Sequence, residues 1–568
     1  MFFLFIKTTK AKGYEYINLV ESYWEDGTTK HRVLYNFGRR DLLLNDKSFI
    51  NVVKKLCEIA EIPIYEQRQK ALYDCSEAVM LNYGYVAYAK LWEMLGIGGC
   101  MREIQDKIKI EFALSEACFL MSCQHLMEPR SKLGTYRHRD VYYGMNEVEL
   151  QYLYRALDKL DDNKELIESR LFEENYKIVD QKIDVVFYDV TTFAFQSVET
   201  DELRNFGFSK DCKFNEVQVV MGLLIDANGF PIGYELFSGN TFDGKTMVKS
   251  LENLKKRFGI NRVIIVADRG LNSKSNLNLI REAGYGYIVA SSVKKMKSNN
   301  QAEILNNEGY TSVNNEDSFR YKTIDYINEF SDSDGRKYNL NESLIVSYSE
   351  KRANKDRADR QRLIDKANKL LNNPETINAQ NKRGGKKYLK NIGKESASWE
   401  FDEKKADKDA LFDGYYAIQT SEKTMNAEEV IAAYHTLWKI EDSFRLMKST
   451  LEVRPVFHWT PKRIRGHFVV CFLSFMMERK LELLLSDVKK AEESVSPEKI
   501  REALKSMQLA QVVLDGDEVF IKTKNDQLAN TIFKILKLKI PKNLNKKDEL
   551  DKFFSIKKNK SWGQLSLF

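Results

Sequence analysis

Between residues 176 and 295 the chain alternates apolar runs and turns in an order that few folds can use. The run IDVVFYDVTTFAF reads as a strand with Asp189 at its end. Two further strands follow in EVQVVMGLLID and FPIGYELFSG, joined by the tight turn Asp226-Ala-Asn-Gly229. A helix is expected from about Lys245 to Phe258, then the strand RVIIVAD ending at Asp268, a helix from Ser273 to Ala283, and a fifth strand in YGYIVAS. The order β-β-β-α-β-α-β calls for a mixed α/β fold with helices against a sheet. A run as apolar as Ile183 to Tyr188 belongs inside that sheet. A carboxylate at its end is therefore solvated, capped by the next turn, or holding a cation.

A third acid favours the cation. Glu441 lies on the helical pattern YHTLWKIEDSFRLMK, where Tyr434, Glu441 and Lys448 recur every seventh residue. That spacing keeps them on one face at intervals of about 10 Å, and Arg445 joins the face one turn after Glu441. Such a stripe is too polar for a core; the alternative is a surface helix with a Glu441–Arg445 ion pair. Phosphodiester cleavage needs an activated attacking oxygen and a leaving oxygen relieved of charge, which two divalent ions roughly 3.5–4 Å apart can supply. Carboxylate oxygens suit Mg²⁺ or Mn²⁺. The assignment is Asp189 as the bridge between two ions, Asp268 on one and Glu441 on the other. The order of elements, with acids ending strands one and four, is the ribonuclease H-like arrangement, in which those two strands are neighbours.

At 568 residues the chain is too long for one core, and 43% hydrophobic residues with only 8 Pro imply a folded protein throughout. The balance of 89 basic against 82 acidic residues is mild, so a nucleic-acid surface must come from local clustering. Seven scattered cysteines without a C-x-x-C pair read as reduced thiols, with neither a zinc site nor a disulfide framework. The opening MFFLFIK is too short for a signal-peptide core, and FVVCFLSFMM at 468–477 is about half a membrane span. A soluble, cytoplasmic protein with no membrane partner is expected.

Five regions are expected. Residues 1–175 form a β-hairpin around Asp26-Gly27 followed by a mainly helical region, 176–295 and 409–485 form the two parts of the catalytic domain with its five-stranded sheet, 296–408 form an inserted domain, and 486–568 form a C-terminal region with no readable function. GIGG at 96–99 reads as a helix terminator. The segment EPRSKLGTYRHRD, with Arg130, Lys132, Arg137, His138 and Arg139, is a solvated loop or a DNA contact, and its charge alone does not decide. Residues 350–396 hold 14 Lys/Arg against 6 Asp/Glu, a local excess larger than that of the whole chain. This clustering favours a run along a phosphate backbone, with Lys382, Arg383, Lys386 and Lys387 as its contacts.

Taken together, DVTTFAF, ADRG and WKIEDSFRLMKSTLEVRPVFHW resemble the DDE transposases of bacterial insertion sequences, in the insertion-sequence-four-like superfamily, whose signature around the third acid is Y-x2-R-x3-E-x6-K. Tyr434, Glu441 and Lys448 match it, and Leu437 occupies the Arg slot, so that Lys439 or Arg445 would have to supply that charge. The resemblance spans roughly 180 to 480. It implies that Tyr434 and Lys448 bind phosphates, that the N-terminal region recognises terminal inverted repeats in double-stranded DNA, and that a homodimer processes two ends together in the bacterial nucleoid. Arg269 and Gly270 read as shaping the turn after Asp268, with Arg269 near phosphate as the further reading. Thr191 and Thr192 read as strand or turn residues, Asp243 as a helix cap, Trp438 as core, and Arg454 and His458 as DNA contacts or packed loop residues. The implied activity is metal-dependent cleavage at the element's ends and joining of the freed 3′-OH groups to target DNA. A nuclease of the same fold without joining, and an inactive DNA-binding derivative, are the alternatives; three intact acids speak against the second.

Overall fold

The apolar runs between 185 and 291 pair into one side of a mixed, nine-stranded sheet. From edge to edge its strands are Thr311–Val313, Glu316–Ser331, Lys337–Ser349, Tyr415–Thr420, Gly286–Ser291, Ile264–Ala267, Val185–Ala194, Gln218–Ile225 and Pro231–Ser238. Val185–Ala194 and Gly286–Ser291 both run parallel to Ile264–Ala267 between them, and the other neighbours are antiparallel. Every residue of Gln218–Ile225 and Ile264–Ala267 is buried, so both faces are covered there. That is why these strands are continuous apolar runs and do not alternate. The turn after Ile225 forms as expected: Asp226 Oδ1 accepts the N–H groups of Asn228 and Phe230 at 2.8 Å each, and Gly229 takes the left-handed φ of 84° that its lack of Cβ permits.

The computed structural model describes residues 3–25, 27–62, 78–145, 147–176, 185–195, 197–207, 215–241, 252–253, 257–258, 263–267, 272–313, 316–331, 336–372, 384–392, 398–451, 458–488, 495–514 and 517–554. The helix expected from Lys245 to Phe258 and the cap at Asp243 fall largely or wholly outside them.

The five-stranded sheet of the sequence reading is corrected to nine. The polar β-like pieces FRYKTIDYI and SLIVSYS belong to a long antiparallel hairpin, Glu316–Ser331 with Lys337–Ser349, and its second arm pairs with Tyr415–Thr420. Leu344 and Val346 on that arm are fully buried against Val293, Ile304, Phe412 and Ala417. This hairpin therefore shares a sheet with the strand that carries Asp189.

The chain divides into two compact units, Met1–Leu81 with Leu509–Thr523 and Pro541–Phe553, and Asn82–Gln508 with Lys524–Ile540 and Phe554–Phe568. In the second, helices Val86–Met94 through Lys164–Tyr176 form a layer with the long helix Pro461–Val488. Leu114–Met127 is buried everywhere except Glu116, and the run from Phe468 to Met477 is buried throughout. An all-round apolar helix has to be enclosed. Phe468 and Phe472 set their rings 5.3 and 5.2 Å from those of Phe193 and Tyr234 on the sheet. No helix among the described residues is long and apolar enough to cross a membrane.

The first unit corrects the expectation of a mainly helical N-terminal region: its start is a three-stranded antiparallel sheet of Phe3–Ala11, Tyr14–Glu25 and Thr28–Arg39. Lys12 and Gly13 link the first two strands with φ of 51° and 83°, the paired positive values of a tight hairpin turn. The C-terminal region adds Gln508–Leu514, Asp517–Lys522 and Leu544–Lys546 as antiparallel neighbours.

Candidate active site

Asp189 lies inside its strand and not at its end, with Val185–Ala194 running on for five residues beyond it. The half-buried carboxylate accepts the N–H of Val190 through Oδ1 at 2.7 Å, and the residue pairs with Leu223 on the antiparallel side. On the parallel side the ladder joins Val185 to Ile264 and Phe187 to Val266, residues 79 positions apart. Asp189 and Asp268 are separated by the same interval in the sequence. Asp268 and Arg269 lie outside the described residues.

Glu441 is carried by a helix of eight residues, Trp438–Arg445, that packs on the Asp189 strand and on Gln218–Ile225. Ile440, Ser443 and Phe444 face the sheet and are buried, while Glu441 is exposed. The seven-residue stripe does not run along one continuous helix, which is a correction. Tyr434 belongs to Ala427–His435, started by a capping box between Asn426 and Glu429. That helix breaks at Thr436 and Leu437, where the Thr436 hydroxyl donates to the Ala433 carbonyl at 2.7 Å and the backbone tightens to three-residue hydrogen bonds. Lys448 lies in a π turn, Leu446–Thr450. Its ammonium sits 5.9 Å from the ring centre of Phe193. Phe193 is four strand residues beyond Asp189 and points to the same face, so Lys448 and Asp189 share that face.

The neighbouring positions sort themselves by burial and partner. Leu437, in the slot where the family signature has Arg, is only 7% exposed and packs inward with Ile440 and Phe444. It does not share the face of Glu441. Trp438 is 58% exposed, contrary to the expected core position. Lys439 donates to the Ala227 carbonyl at 2.8 Å and thereby holds the turn between two strands; burial lowers its pKa, against the pull of nearby Asp226. Arg445 is exposed and pairs with Asp442, not with Glu441.

Sequence reasoning missed three side chains around this helix. Tyr416, on Tyr415–Thr420, donates its hydroxyl to that of Tyr434 at 2.7 Å. Arg352, from the helix Glu350–Leu371, lies 4.4 Å above the Tyr416 ring. Arg479, on Pro461–Val488, donates to Asp442 at 3.2 Å. The strand pattern GYYAIQTS signalled Tyr416; nothing in the sequence singled out the two arginines.

Of the four cations expected on phosphate between 382 and 387, Lys382 and Arg383 lie outside the described residues, Lys386 is half-buried, and Lys387 is paired with Asp409. A cleft of about 300 Å³ opens beside Lys387, but its cations are committed internally, Arg352 to Asp356, Arg360 to Asp413, and Lys294 with Lys387 to Asp409. The segment EPRSKLGTYRHRD is no solvated loop: Ser131 caps a helix over Lys132–His138, and Lys132 is buried. His458 is buried too, edge-on to Tyr154, and burial pushes its pKa down to about 3. Arg454 lies outside the described residues; Thr191 and Thr192 are buried strand residues.

Asp189 and Glu441 offer hard carboxylate oxygens, a donor set that fits Mg²⁺ or Mn²⁺. Nitrogen and sulfur donors also gather, at His125, His467 and Cys471, with ligand atoms within 4.8 Å of one another. There the Lys132 ammonium already lies 3.3 Å from His125 Nε2 and 3.4 Å from His467 Nδ1, a cation of the protein's own.

Residues 180–477 match the family described as transposase DDE domain, and residues 4–66 match the N-terminal domain of IS1634 family transposases. No curated relative matches the chain. Among solved structures, a synaptic complex of piggyBac transposase with hairpin DNA is 10% identical at a TM-score of 0.33, covering 76% of this chain and 82% of its own. A Mos1 transposase paired-end complex with the left transposon end is 12% identical at 0.14, covering 30% and 57%. Likenesses this weak do not bear on the details of the fold.

Proposed function

From the premise that the chain belongs to the transposase DDE domain family, we propose that Asp189, Asp268 and Glu441 are the three carboxylates at which it works. The protein is a DDE transposase with an IS1634-type N-terminal domain, a DNA-cleaving and strand-transferring enzyme. The observation that supports the trio is that Val185–Ala194, which carries Asp189, is the parallel neighbour of Ile264–Ala267, the strand that precedes Asp268 in the sequence, with Phe187 beside Val266. Glu441 comes to the same strand on the short helix packed against it.

The finer reading is a ribonuclease H-like centre of the insertion-sequence-four-like superfamily. Asp189, Asp268 and Glu441 would together hold two Mg²⁺ or Mn²⁺ ions. When bound, such ions activate the attacking oxygen and stabilise the leaving one. The chain's own residues orient the DNA. Lys448, over the Asp189 face of the strand, supplies a cation for a flanking phosphate, and Tyr434, its hydroxyl held by Tyr416, supplies a second contact. Water attacks phosphorus at the element end and the 3′-oxygen leaves, taking up a proton; that 3′-OH then attacks a target phosphodiester, and a target 3′-oxygen departs. The N-terminal region would hold the inverted repeats in a homodimer, residues 296–408 would act as the inserted domain between catalytic parts 176–295 and 409–485, and basic side chains of 350–396 would follow the backbone. The test is incubation of purified protein, Mg²⁺ and labelled element ends joined to a target plasmid. Cleavage and joining are expected from the wild type and neither from Asp189→Asn; normal products from that variant would remove the trio.

A further inference from the structure

The helix that carries Glu441 is too short to hold its own orientation. Eight residues are well below the length at which a helix persists alone, and here they lie between a break at Thr436–Leu437 and a π turn. Ile440 and Phe444 fix its depth against the sheet by packing, which is non-directional. Rotation about the helix axis needs a directional contact, and the structure contains one.

Arg479 enters from the side of Pro461–Val488, 8% exposed. One terminal nitrogen donates to Asp442 Oδ2 at 3.2 Å and to Ser443 Oγ at 3.3 Å, and the other donates to Glu482 Oε2 at 2.6 Å. Asp442 and Ser443 are the two residues after Glu441. Ser443 is fully buried, and its hydroxyl donates in turn to the Lys439 carbonyl at 2.6 Å, so the contact reaches the helix backbone. Arg445 holds the second oxygen of Asp442 from the solvent side. Asp442 is thus bracketed by two guanidinium groups, while Glu441, one residue earlier, projects about 100° away around the helix.

We propose that Arg479 is a positioning residue, which fixes the rotation of Trp438–Arg445 through Asp442 and Ser443 and thereby aims the Glu441 carboxylate. The inference rests on Glu441 being the third catalytic acid. Burying a guanidinium is costly, and its Nε has no partner among the described residues. An apolar side chain would fill the same space without that cost, so the gain lies in the fork. Lysine keeps the charge but not two nitrogens in a fixed plane.

The test compares Arg479→Lys, Asp442→Asn and the double mutant with wild type. End binding without metal should stay within about twofold, whereas cleavage should fall about 10- to 100-fold, the usual cost of losing a supporting residue behind a ligand, with a higher half-saturating Mg²⁺ concentration. Hydrogen exchange in peptides covering 438–446 should accelerate with the remaining protection and the thermal midpoint largely kept, and the double mutant should be no worse than the poorer single mutant, because the two side chains act as one unit. Unchanged Mg²⁺ dependence and exchange in both single mutants would overturn the proposal, as would a loss of cleavage that only follows the folded fraction. If Arg479→Lys does not fold, Asp442→Asn decides. Glu441→Gln in the same assay separates the two levels: normal cleavage there removes the catalytic reading itself, whereas a dead Glu441→Gln beside normal Arg479→Lys and Asp442→Asn removes the positioning role alone.

Discussion

Lys132 places its ammonium 3.3 Å from Nε2 of His125, inside a helical layer where each side chain is 3% exposed. His125 Nδ1 lies 3.1 Å from the Leu451 carbonyl, which assigns the ring proton to Nδ1 and leaves Nε2 to accept from lysine. Burial lowers the Lys132 pKa from 10.5 to about 8. The folded state therefore binds fewer protons than the unfolded one between those values, so the cost of burying the charge is fully present below pH 8 and is relieved as pH rises towards 10.5. Relative to a Lys132→Met protein, wild type should gain about 3 kcal/mol across that window. Denaturant midpoints of the two proteins at pH 7.5, 9 and 10.5 check this, and a difference independent of pH would place the lysine charge in water.

Replacing Asp189 by Asn keeps the strand hydrogen bonds but removes one of the three proposed carboxylate charges of the site. Cleavage should fall by more than the about 10- to 100-fold typical of a supporting residue, with end binding kept, since binding rests on distributed phosphate contacts. Gel-shift and cleavage assays on one preparation measure both.

Leu437 offers a test in which sequence and structure disagree. The family signature invites Leu437→Arg as a gain of function, yet the site is buried among Ile440 and Phe444. An unpaired guanidinium there should destabilise the protein by about 2–4 kcal/mol without raising cleavage. Arg445→Ala should instead change stability by only a few tenths of a kcal/mol, its partner being a surface ion pair. If Arg445 serves the phosphate, cleavage drops about tenfold. Thermal midpoints and end-cleavage rates for both variants decide.

On the helix Glu350–Leu371, Lys351, Lys355, Lys366 and Lys369 are exposed, whereas Lys387 is spent on Asp409. Changing those four lysines to Gln should flatten the salt dependence of DNA binding by up to about 0.9 log unit per lost phosphate contact. Lys387→Gln should cost stability and leave the slope alone. Binding isotherms at several salt concentrations separate the two; an unchanged slope in the fourfold variant would make the helix face merely solvated.

The central strands were legible because burial on both faces writes itself as an apolar run, and the Asp226–Gly229 turn because Asx and Gly carry its geometry. Gly96, with φ of 75°, ends its helix as read. The position of Asp189 was misjudged because a carboxylate interrupting an apolar run resembles a strand end, although the pairing continues to Ala194. The link at Lys12–Gly13 lacks the Asn-Gly or Asp-Gly signal, so the first strand was missed. The break before Trp438 depends on a threonine hydroxyl bonding back to its own helix, which leaves no mark on hydrophobic spacing. Lys132 and Arg479 are invisible for another reason: long cations read as surface until three dimensions supply acceptors in the core.

The hairpin of Glu316–Ser331 and Lys337–Ser349 bears on how this gene can decay. Tyr415–Thr420 has Gly286–Ser291 on one side and Lys337–Ser349 on the other. An in-frame deletion of 296–408 would leave that second side as a bare ladder of amide and carbonyl groups, an open template for another chain. Shortened copies of such an element should accordingly yield aggregating protein and not a pared-down nuclease, and the hairpin would persist in every active copy as a structural obligation, whatever DNA it touches.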